Sequence, residues 1–336
     1  MKVAIVGASG ETGGSIVKAL LESSTPKFDI TALTRPASLT KPENLELEKR
    51  GVKLVACKLD GPEDALVKSL SGQDVVISAL EPAAFGAQIP LANAAKVAGV
   101  KRFVPCAFAT IAPPGVMKLR DDKEDIFNHV KKLYLPYTII DVGWWFQLAV
   151  PRLSSGKTDY AIVVPENTAA GDGNVPSAFT DIRDIGPYVA RIISDPRTLN
   201  KMVFAYDEVA TTNQIYELLE KLSGEKIDRT YVRHHSPLGQ DMANQIHSSQ
   251  LSADDIETGL AQIEGSDDPT ALNKLWILQY LRSCGIRGDN NPEYARYLGY
   301  VDAKELYPDF KGNTLEKYFQ EVLVGKAKGV YKKRKA

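Results

Sequence analysis

The sequence predicts an α/β protein with a doubly wound parallel sheet and a smaller C-terminal α+β part. Short apolar runs alternate with segments of helical spacing as far as residue 145, a glycine-rich turn follows the first run, and the rhythm changes after Trp145. Buried strands that alternate with amphipathic helices pair in parallel through right-handed crossovers. We therefore expect one sheet with helices on both faces.

Each element follows from its residue pattern. In the first helix, apolar residues recur at Ile16, Val17, Leu20 and Leu21, which is helical spacing. The predicted strands are Val3–Val6, Ile30–Thr34, Lys53–Cys57, Asp74–Leu80, Phe103–Pro105 and Tyr137–Val142. The helices predicted between them are Glu11–Glu22, Glu43–Arg50, Glu63–Leu70, Phe85–Ala98 and Leu119–Leu133.

Beyond Trp145 the pattern predicts a different organisation. Residues 151–178 are rich in Pro, Gly, Ser and Asn and are typical of strands and loops. The later predicted elements are a helix at Asp184–Ser194, an edge strand at Met202–Tyr206, a helix at Thr212–Leu222 capped at Thr211–Asn213, and a largely helical stretch at Asp254–Tyr318. We divide the chain into a cofactor-binding domain (1–150), a substrate-binding part (151–330) from which segments return to the sheet edge, and a basic tail (331–336).

Composition limits the function. Of 336 residues, 44% are hydrophobic, and 41 basic against 42 acidic side chains leave a net charge of −1, which disfavours a nucleic-acid partner. Three widely spaced cysteines disfavour a disulfide framework and a zinc site, and no metal is expected. The start of the chain lacks a signal-peptide pattern, and the apolar stretch Ile139–Pro151 is too short to span a bilayer. We expect a cytoplasmic protein with a solvated KKRKA tail; a nuclear signal is the alternative.

A glycine-rich turn follows the first strand and opens the first helix. Its sequence is GASGETG, with GxxGxxG spacing, and it comprises Gly7, Ala8, Ser9, Gly10, Glu11, Thr12 and Gly13. Such glycines allow a tight turn, a close approach to a pyrophosphate, and close packing of helix on sheet. The pyrophosphate then binds the free amides at the positive end of the helix. The turn predicts a Rossmann-type dinucleotide site.

The end of the second strand indicates which dinucleotide is bound. An NAD site usually has an acidic residue here, which accepts from the ribose 2′-hydroxyl. This chain has Arg35 instead, and a guanidinium suits a 2′-phosphate. We predict NADP(H), with Lys41 as a second cation; the alternative is that Arg35 is an ordinary solvated residue.

Other strand ends supply further candidates. Asp60 either reaches the adenine or caps the helix near Pro62. Ala79 and Leu80 would pass their backbone over the cofactor. Cys106 is either a cofactor contact or a buried small residue.

Four short motifs give a family resemblance. GASGETG, KRFVP at 101–105, LPYT at 135–138 and ELYPDF at 305–310 resemble the NmrA-like, isoflavone reductase-like branch of atypical short-chain dehydrogenases. The resemblance implies an NADP(H)-binding Rossmann domain and a C-terminal part that closes over the substrate. It also implies reduction of aromatic or phenylpropanoid-type molecules, although some members are redox sensors without known turnover.

The resemblance also points to a catalytic lysine. The family's reductases carry a lysine twelve residues before the LPYT-like motif, and in this chain that residue is Lys123. Its ammonium would contact the nicotinamide ribose and donate a proton as hydride arrives. Lys118, Lys131 and Lys132 lie in the same segment, and from position alone any of the four qualifies.

The chain departs from the family around the substrate. The reductases usually have Pro-Ser-Glu-Phe-Gly after the fifth strand, whereas this chain has Pro-Cys-Ala-Phe-Ala at 105–109, without the serine and the acid. Because ligands bind beyond the carboxyl ends of parallel strands, we expect the substrate to contact Phe108, Gly143, Trp144 and Trp145. The two tryptophans are equally compatible with core packing at the domain junction. His234 is a further substrate-side donor candidate.

These observations predict an NADPH-dependent reductase of a small aromatic or conjugated carbonyl-type substrate, similar to a secondary metabolite. Lys123 would donate the proton. The alternatives are an NADP(H)-binding redox sensor with a protein partner, and an isomerase or cyclase on the same scaffold. We expect no membrane or nucleic-acid partner, and a homodimer is an open alternative to a monomer.

Overall fold

The structure, a computed structural model, describes residues 1–164, 167, 169–227, 252–263 and 271–331, without the side chains of 272 and 273. Among the predicted site residues, only His234 lies outside the described residues.

A five-stranded parallel sheet forms the centre of the N-terminal half. Its strands are β1 (Lys2–Val6), β2 (Asp29–Thr34), β3 (Lys53–Ala56), β4 (Val75–Ser78) and β5 (Arg102–Val104), and their order is β3-β2-β1-β4-β5. Val3 of the central strand pairs with Ile30 on one side and with Val75 on the other. The order reverses direction at β1, so the prediction of a doubly wound parallel sheet is confirmed.

The helices of this half are α1 (Glu11–Glu22), α2 (Pro42–Lys49), α3 (Glu63–Leu70), α4 (Gln88–Val97) and α5 (Lys118–Lys132). The predicted start of α4 at Phe85 is wrong, because residues Pro82–Ala87 form a 3₁₀ helix. Pro90 explains the late start. Its ring would clash with the carbonyl group of Gly86 if the α-helix continued upstream.

Two cores cover the two faces of the sheet. Val3 and Ile5 of β1 belong to an apolar cluster that includes residues of α1, whereas Ala4 and Val6 belong to a second cluster that includes residues of α3 and α4. Side chains alternate between the two faces along a strand. Burial on both faces explains the nearly continuous apolar run of β1.

Three more parallel strands extend the sheet. They are β6 (Thr138–Asp141), β9 (Lys201–Phe204) and β11 (Val301–Asp302), in the order β11-β9-β6, and a parallel bridge from Phe103 to Tyr137 joins them to β5. The predicted strand near Met202 is therefore confirmed, but its edge position is wrong, because β9 pairs with β6 on one side and with β11 on the other. Helix α6 (Ile182–Ser194) lies against α1.

The C-terminal half adds a small mixed sheet and helices. The sheet contains β7 (Trp144–Trp145), β8 (Ser177–Thr180) and β10 (Glu208–Ala210). The helices are α7 (Thr212–Ser223), α8 (Ala253–Ile263), α9 (Ala271–Tyr280), α10 (Pro292–Tyr297), α11 (Ala303–Leu306) and α12 (Leu315–Leu323), with a π-helix at Leu281–Arg287 after α9. As predicted, Thr211 caps α7: its side chain accepts from the amide of Gln214.

A pair of buried carboxyl groups joins α6 to the loop after β9. Asp207 is 7% exposed and accepts from the amide of Asp181 at 2.8 Å, while Asp184 accepts from the amide of Asn313 at 2.7 Å. Burial and, second, the charge of Asp184 raise the pKa of Asp207 to about 9. Asp207 is therefore protonated at neutral pH and donates a hydrogen bond to Asp184.

This pair predicts a loss of stability in alkali. Folding favours the protonated form, so the contribution of Asp207 is complete below its unfolded pKa of 3.8 and disappears as pH rises through about 9. Between pH 7 and 9 this group should lower the free energy of unfolding by about 1.4 kcal/mol per pH unit. Asp207→Asn cannot ionise and keeps a donor toward Asp184, so its stability should fall less.

Urea unfolding at pH 7 and pH 9 measures the difference. Asp64→Asn, at an exposed position on α3, is the matched control, and its free energy of unfolding should change with pH as in the wild type. An equal change with pH in the wild type and in Asp207→Asn would contradict the raised pKa of Asp207.

Candidate active site

The glycine turn is shaped by contacts that leave no room for side chains. Gly7 has a φ of +81°, and a Cβ on it would lie 2.1 Å from the carbonyl oxygen of Ala79. A Cβ on Gly13 would lie 2.0 Å from the carbonyl oxygen of Gly7. The main chain of the turn therefore lies directly against the end of β4 and the first turn of α1.

The first turn of α1 keeps its amides free of a side-chain cap. Gly10 is the N-cap residue and has no side chain to accept from them. Ala8 is buried, and Ser9, Glu11 and Thr12 are half-buried. The positive end of the helix is thus available to an anion.

Arg35 and Lys41 flank one short loop after β2. A 3₁₀ helix at Pro36–Ser38 separates them, and Asn44 holds this turn through a 2.6 Å hydrogen bond to the carbonyl group of Ser38. Both cations are exposed, and no carboxylate of the described residues forms a salt bridge with either. This arrangement leaves two positive charges available at the end of β2.

Asp60 is exposed beyond the end of β3, on the same sheet edge as Arg35. The alternative that it caps the next helix is wrong. Helix α3 begins at Glu63 with Pro62 as its N-cap residue, and no side chain caps it. The adenine-side role of Asp60 stays a prediction.

Lys123 is buried at the end of β5. Its side chain is 5% exposed, Nζ donates to the carbonyl group of Ala107, and Nζ lies 5.4 Å from the centre of the Phe85 ring. Burial lowers the pKa of Lys123, while the nearby Cys106 and Asp141 groups act in the opposite direction. Of the four lysines between which position alone could not choose, the structure buries Lys123 and leaves the other three exposed.

Cys106 links β5 to β4 and α4. Its amide donates to Oε1 of Gln88 at 2.8 Å, and its thiol donates to the carbonyl group of Leu80 at 3.1 Å. Burial raises the pKa of the Cys106 thiol. Cys106 is therefore a buried, neutral residue beside Lys123, and its contact with a cofactor stays a prediction.

The loop after β5 is tied to β6 through its backbone. Phe108 is buried, has a φ of +43°, and its amide donates to the carbonyl group of Ile140 at 2.8 Å. The amides of Val142 and Gly143 both donate to the carbonyl group of Ala109. A left-handed φ at a phenylalanine is strained, and such strain is typical of functional sites.

The two tryptophans of β7 are half-buried and contact different aromatic rings. Trp144 lies 4.8 Å from Tyr280 of α9 between ring centres, and Trp145 lies 5.9 Å from Tyr331. Phe146, by contrast, is 0% exposed and belongs to the core. The structure therefore separates Phe146, which is core, from Trp144 and Trp145, which remain partly exposed.

Sequence reasoning missed a buried ionic cluster beside Lys123. Arg120 forms a 2.8 Å salt bridge with Oδ2 of Asp141 and a 2.6 Å salt bridge with Glu124. The hydroxyl group of Tyr300 donates to the same Asp141 oxygen at 2.6 Å. An aspartate in an apolar strand was a visible signal, but nothing in the sequence connects it to Tyr300.

Within the described residues, no group of three or more His, Cys, Asp or Glu side chains could hold a metal ion. The described helices include none that is long and apolar enough to cross a membrane.

Known proteins match this chain over most of its length. The model of the NmrA-like family matches residues 1–282. Asnovolin J 5',6'-dehydrogenase nvfM of Aspergillus novofumigatus is 48% identical over 97% of this chain and 96% of its own length. Phenylcoumaran benzylic ether reductase Betv6 of Betula pendula is 29% identical over 95% of this chain and 98% of its own length.

Solved structures share the fold. A crystal structure of isoflavone reductase superposes with a TM-score of 0.73 at 26% identity, and the match covers 95% of this chain and 98% of that one. A complex of leucoanthocyanidin reductase with NADPH from Vitis vinifera has a TM-score of 0.72 at 22% identity, covering 96% and 100% of the two chains. At that identity the likeness shows the fold alone.

Adjacent glycines test whether close backbone packing sets the turn. Gly13→Ala should lower the free energy of unfolding by about 2–4 kcal/mol, because its Cβ would overlap the backbone of Gly7. Gly14→Ala is the matched control. A Cβ on Gly14 would meet no atom within 4 Å, so alanine should stabilise α1 by about 0.5–1 kcal/mol. Urea unfolding measures both, and similar effects from the two substitutions would disprove the packing argument.

Proposed function

The chain belongs to the NmrA-like family, and on that premise we propose that it is an NADPH-dependent reductase of a small aromatic or conjugated carbonyl-type substrate. One observation carries the proposal: Lys123 is buried at the end of β5 and has a lowered pKa. Strand β5 lies two places from β1 in the sheet, and β1 leads into the glycine turn. The ends of parallel strands form the usual reaction site of open α/β sheets.

The residues present fit NADP(H). The glycine turn presents uncapped amides to a pyrophosphate, while Arg35 and Lys41 are exposed cations at the strand end where an NAD site needs an acid. A 2′-phosphate would find charge-assisted donors there. When bound, NADPH supplies a hydride.

The substrate side is aromatic. Phe108, Trp144 and Tyr280 come from three different elements around the ends of β5 and β6, and Trp144 and Tyr280 are in contact. Apolar walls with a few polar groups are typical of sites for small ligands. The names of the relatives refer to asnovolin J and to phenylcoumaran benzylic ethers, which are also small organic substrates.

In the proposed reaction Lys123 acts as the general acid. Its ammonium donates a proton to the substrate oxygen that gains negative charge, and it is then reprotonated from water. A lowered pKa makes this donation easier. The carbonyl group of Ala107 and the ring of Phe85 hold Nζ in place.

The buried ion pair positions this lysine. Arg120 lies one helical turn before Lys123 on α5, and its bond to Asp141 fixes α5 against the end of β6. Asp141 also opposes the effect of burial on the pKa of Lys123, whereas Arg120 adds to it. The cluster of Arg120 and Asp141 therefore sets the position of Lys123 and influences its pKa.

Turnover with and without Lys123 tests the function. NADPH oxidation is followed by absorbance against enones, quinones and aromatic ketones, and NADP⁺ reduction is followed with the corresponding reduced compounds, because the 48% identical relative is named a dehydrogenase. Lys123→Ala should lower kcat by about 10²–10⁴-fold, with NADPH binding retained. Lys132→Ala, an exposed position on the same helix, is the control and should keep full activity.

The same assay separates the alternatives. Tight NADPH binding without turnover of any compound in either direction would favour a redox sensor. Conversion of a substrate without matching NADPH consumption would favour an isomerase or cyclase. Turnover that Lys123→Ala leaves unchanged would keep the enzyme and refute the role of the lysine.

Cofactor preference tests Arg35. Arg35→Ala should raise the KM for NADPH by about 10–100-fold, through the loss of charge-assisted bonds of about 1.5–3 kcal/mol, and should leave the KM for NADH unchanged. Arg50→Ala removes an exposed arginine after α2 and should change neither value. A parallel rise in both KM values for Arg35→Ala would show that the guanidinium does not read the 2′-phosphate.

A further inference from the structure

The chain continues past α12 and returns to the first half of the protein. Ala327 is buried in the cluster that contains Phe146 and Tyr318, whereas Val330 is buried in the cluster that contains Ala8 and Cys106. The segment after α12 therefore crosses from the core of the C-terminal part to the core beneath the glycine turn. It also lies outside the residues that the family model matches.

Tyr331 ends this crossing beside the site. Its ring stacks on Trp145 at 5.9 Å between ring centres with an interplanar angle of 23°. Partial loss of hydration and, after it, the negative charge of Glu11 raise the pKa of Tyr331. The ring of Tyr331 thus lies beside β7, and Val330 before it is buried with Ala8 of the glycine turn and Cys106 after β5.

The geometry of Tyr331 indicates more than packing. Its φ of +54° is left-handed, which is unfavourable for a tyrosine, yet the side chain remains 62% exposed. A ring that only filled a core would be covered on both faces. This ring stacks on Trp145 and is otherwise largely exposed, directly after Val330, which is buried in the core beneath the glycine turn.

We propose that Tyr331 closes the mouth of the active site beside Trp145, where it retains the cofactor and forms part of the wall against an aromatic substrate. The inference rests on the proposed reductase function. It assigns a specificity-determining residue to the C-terminal segment. An aromatic wall suits a planar substrate because stacked rings attract each other beyond their apolar contact.

Two substitutions in the full chain and one truncation test this role. Tyr331→Ala should raise the dissociation rate of NADPH and the KM for an aromatic substrate by roughly tenfold each. Tyr331→Phe keeps the stack and should stay within about twofold of wild type. A chain that ends at Tyr331 loses only residues 332–336, four of which are basic, and should also stay within about twofold at fixed ionic strength. The readouts are stopped-flow NADPH fluorescence and steady-state kinetics, with the melting temperature as the test of folding.

Every outcome of these measurements either supports or overturns the role of Tyr331. The expected pattern, with an unchanged melting temperature, supports closure by the ring. Three results would each overturn it: unchanged kinetics of Tyr331→Ala, tighter NADPH binding by Tyr331→Ala, or an equal effect of removing residues 332–336. In those cases NADPH binding by the wild type would still uphold the proposed function. Failure of the wild type to bind NADPH would instead overturn the proposed function, and the inference with it.

Discussion

At Gly7 and Gly13 the main chain of the first turn lies so close to its neighbours that no side chain fits. The carbonyl oxygens of Ala79 and Gly7 occupy the places where the two Cβ atoms would be. This double contact fixes α1 against β1 and β4, and the amides at the start of α1 then face the edge where the strands end. The parallel register connects β2, β4 and β5 to β1. It therefore places Arg35, beyond β2, and the loop after β5 at this same edge.

A second constraint is ionic. Arg120 and Asp141 are 3% and 0% exposed. The loss of hydration of such a buried pair offsets much of the free energy of its electrostatic attraction. Their bond is supported by Glu124 and by Tyr300, which comes from a distant part of the chain. A cluster of this kind fixes geometry more than it adds stability. Here it fixes α5, and with it Lys123, against the ends of β5 and β6.

The sequence predicted what repeats locally. Strand and helix periods in the first 145 residues gave elements whose limits mostly agree within two residues, since burial on both faces leaves a clear apolar pattern. The start of α4 was missed because the effect of Pro90 falls on the residues before it. The contact of Asp141 with Tyr300 and that of Trp145 with Tyr331 were beyond reach, because they join segments more than 150 residues apart.

The departure from the family after Pro105 acquires a physical account in this structure. The family's serine and acid are replaced by Cys106 and Ala107, which removes side chains that could share a proton with the lysine. The backbone accepts the contact instead, because the carbonyl group of Ala107 receives the hydrogen bond of Lys123. A carbonyl group does not titrate, and the neighbouring Cys106 thiol is held neutral by burial. The protonation of Lys123 is therefore set by burial and by the opposing charges of Asp141 and Arg120 rather than by exchange with an adjacent acid. The proposed mechanism is compatible with this arrangement, because a general acid needs one proton per turnover and water can return it.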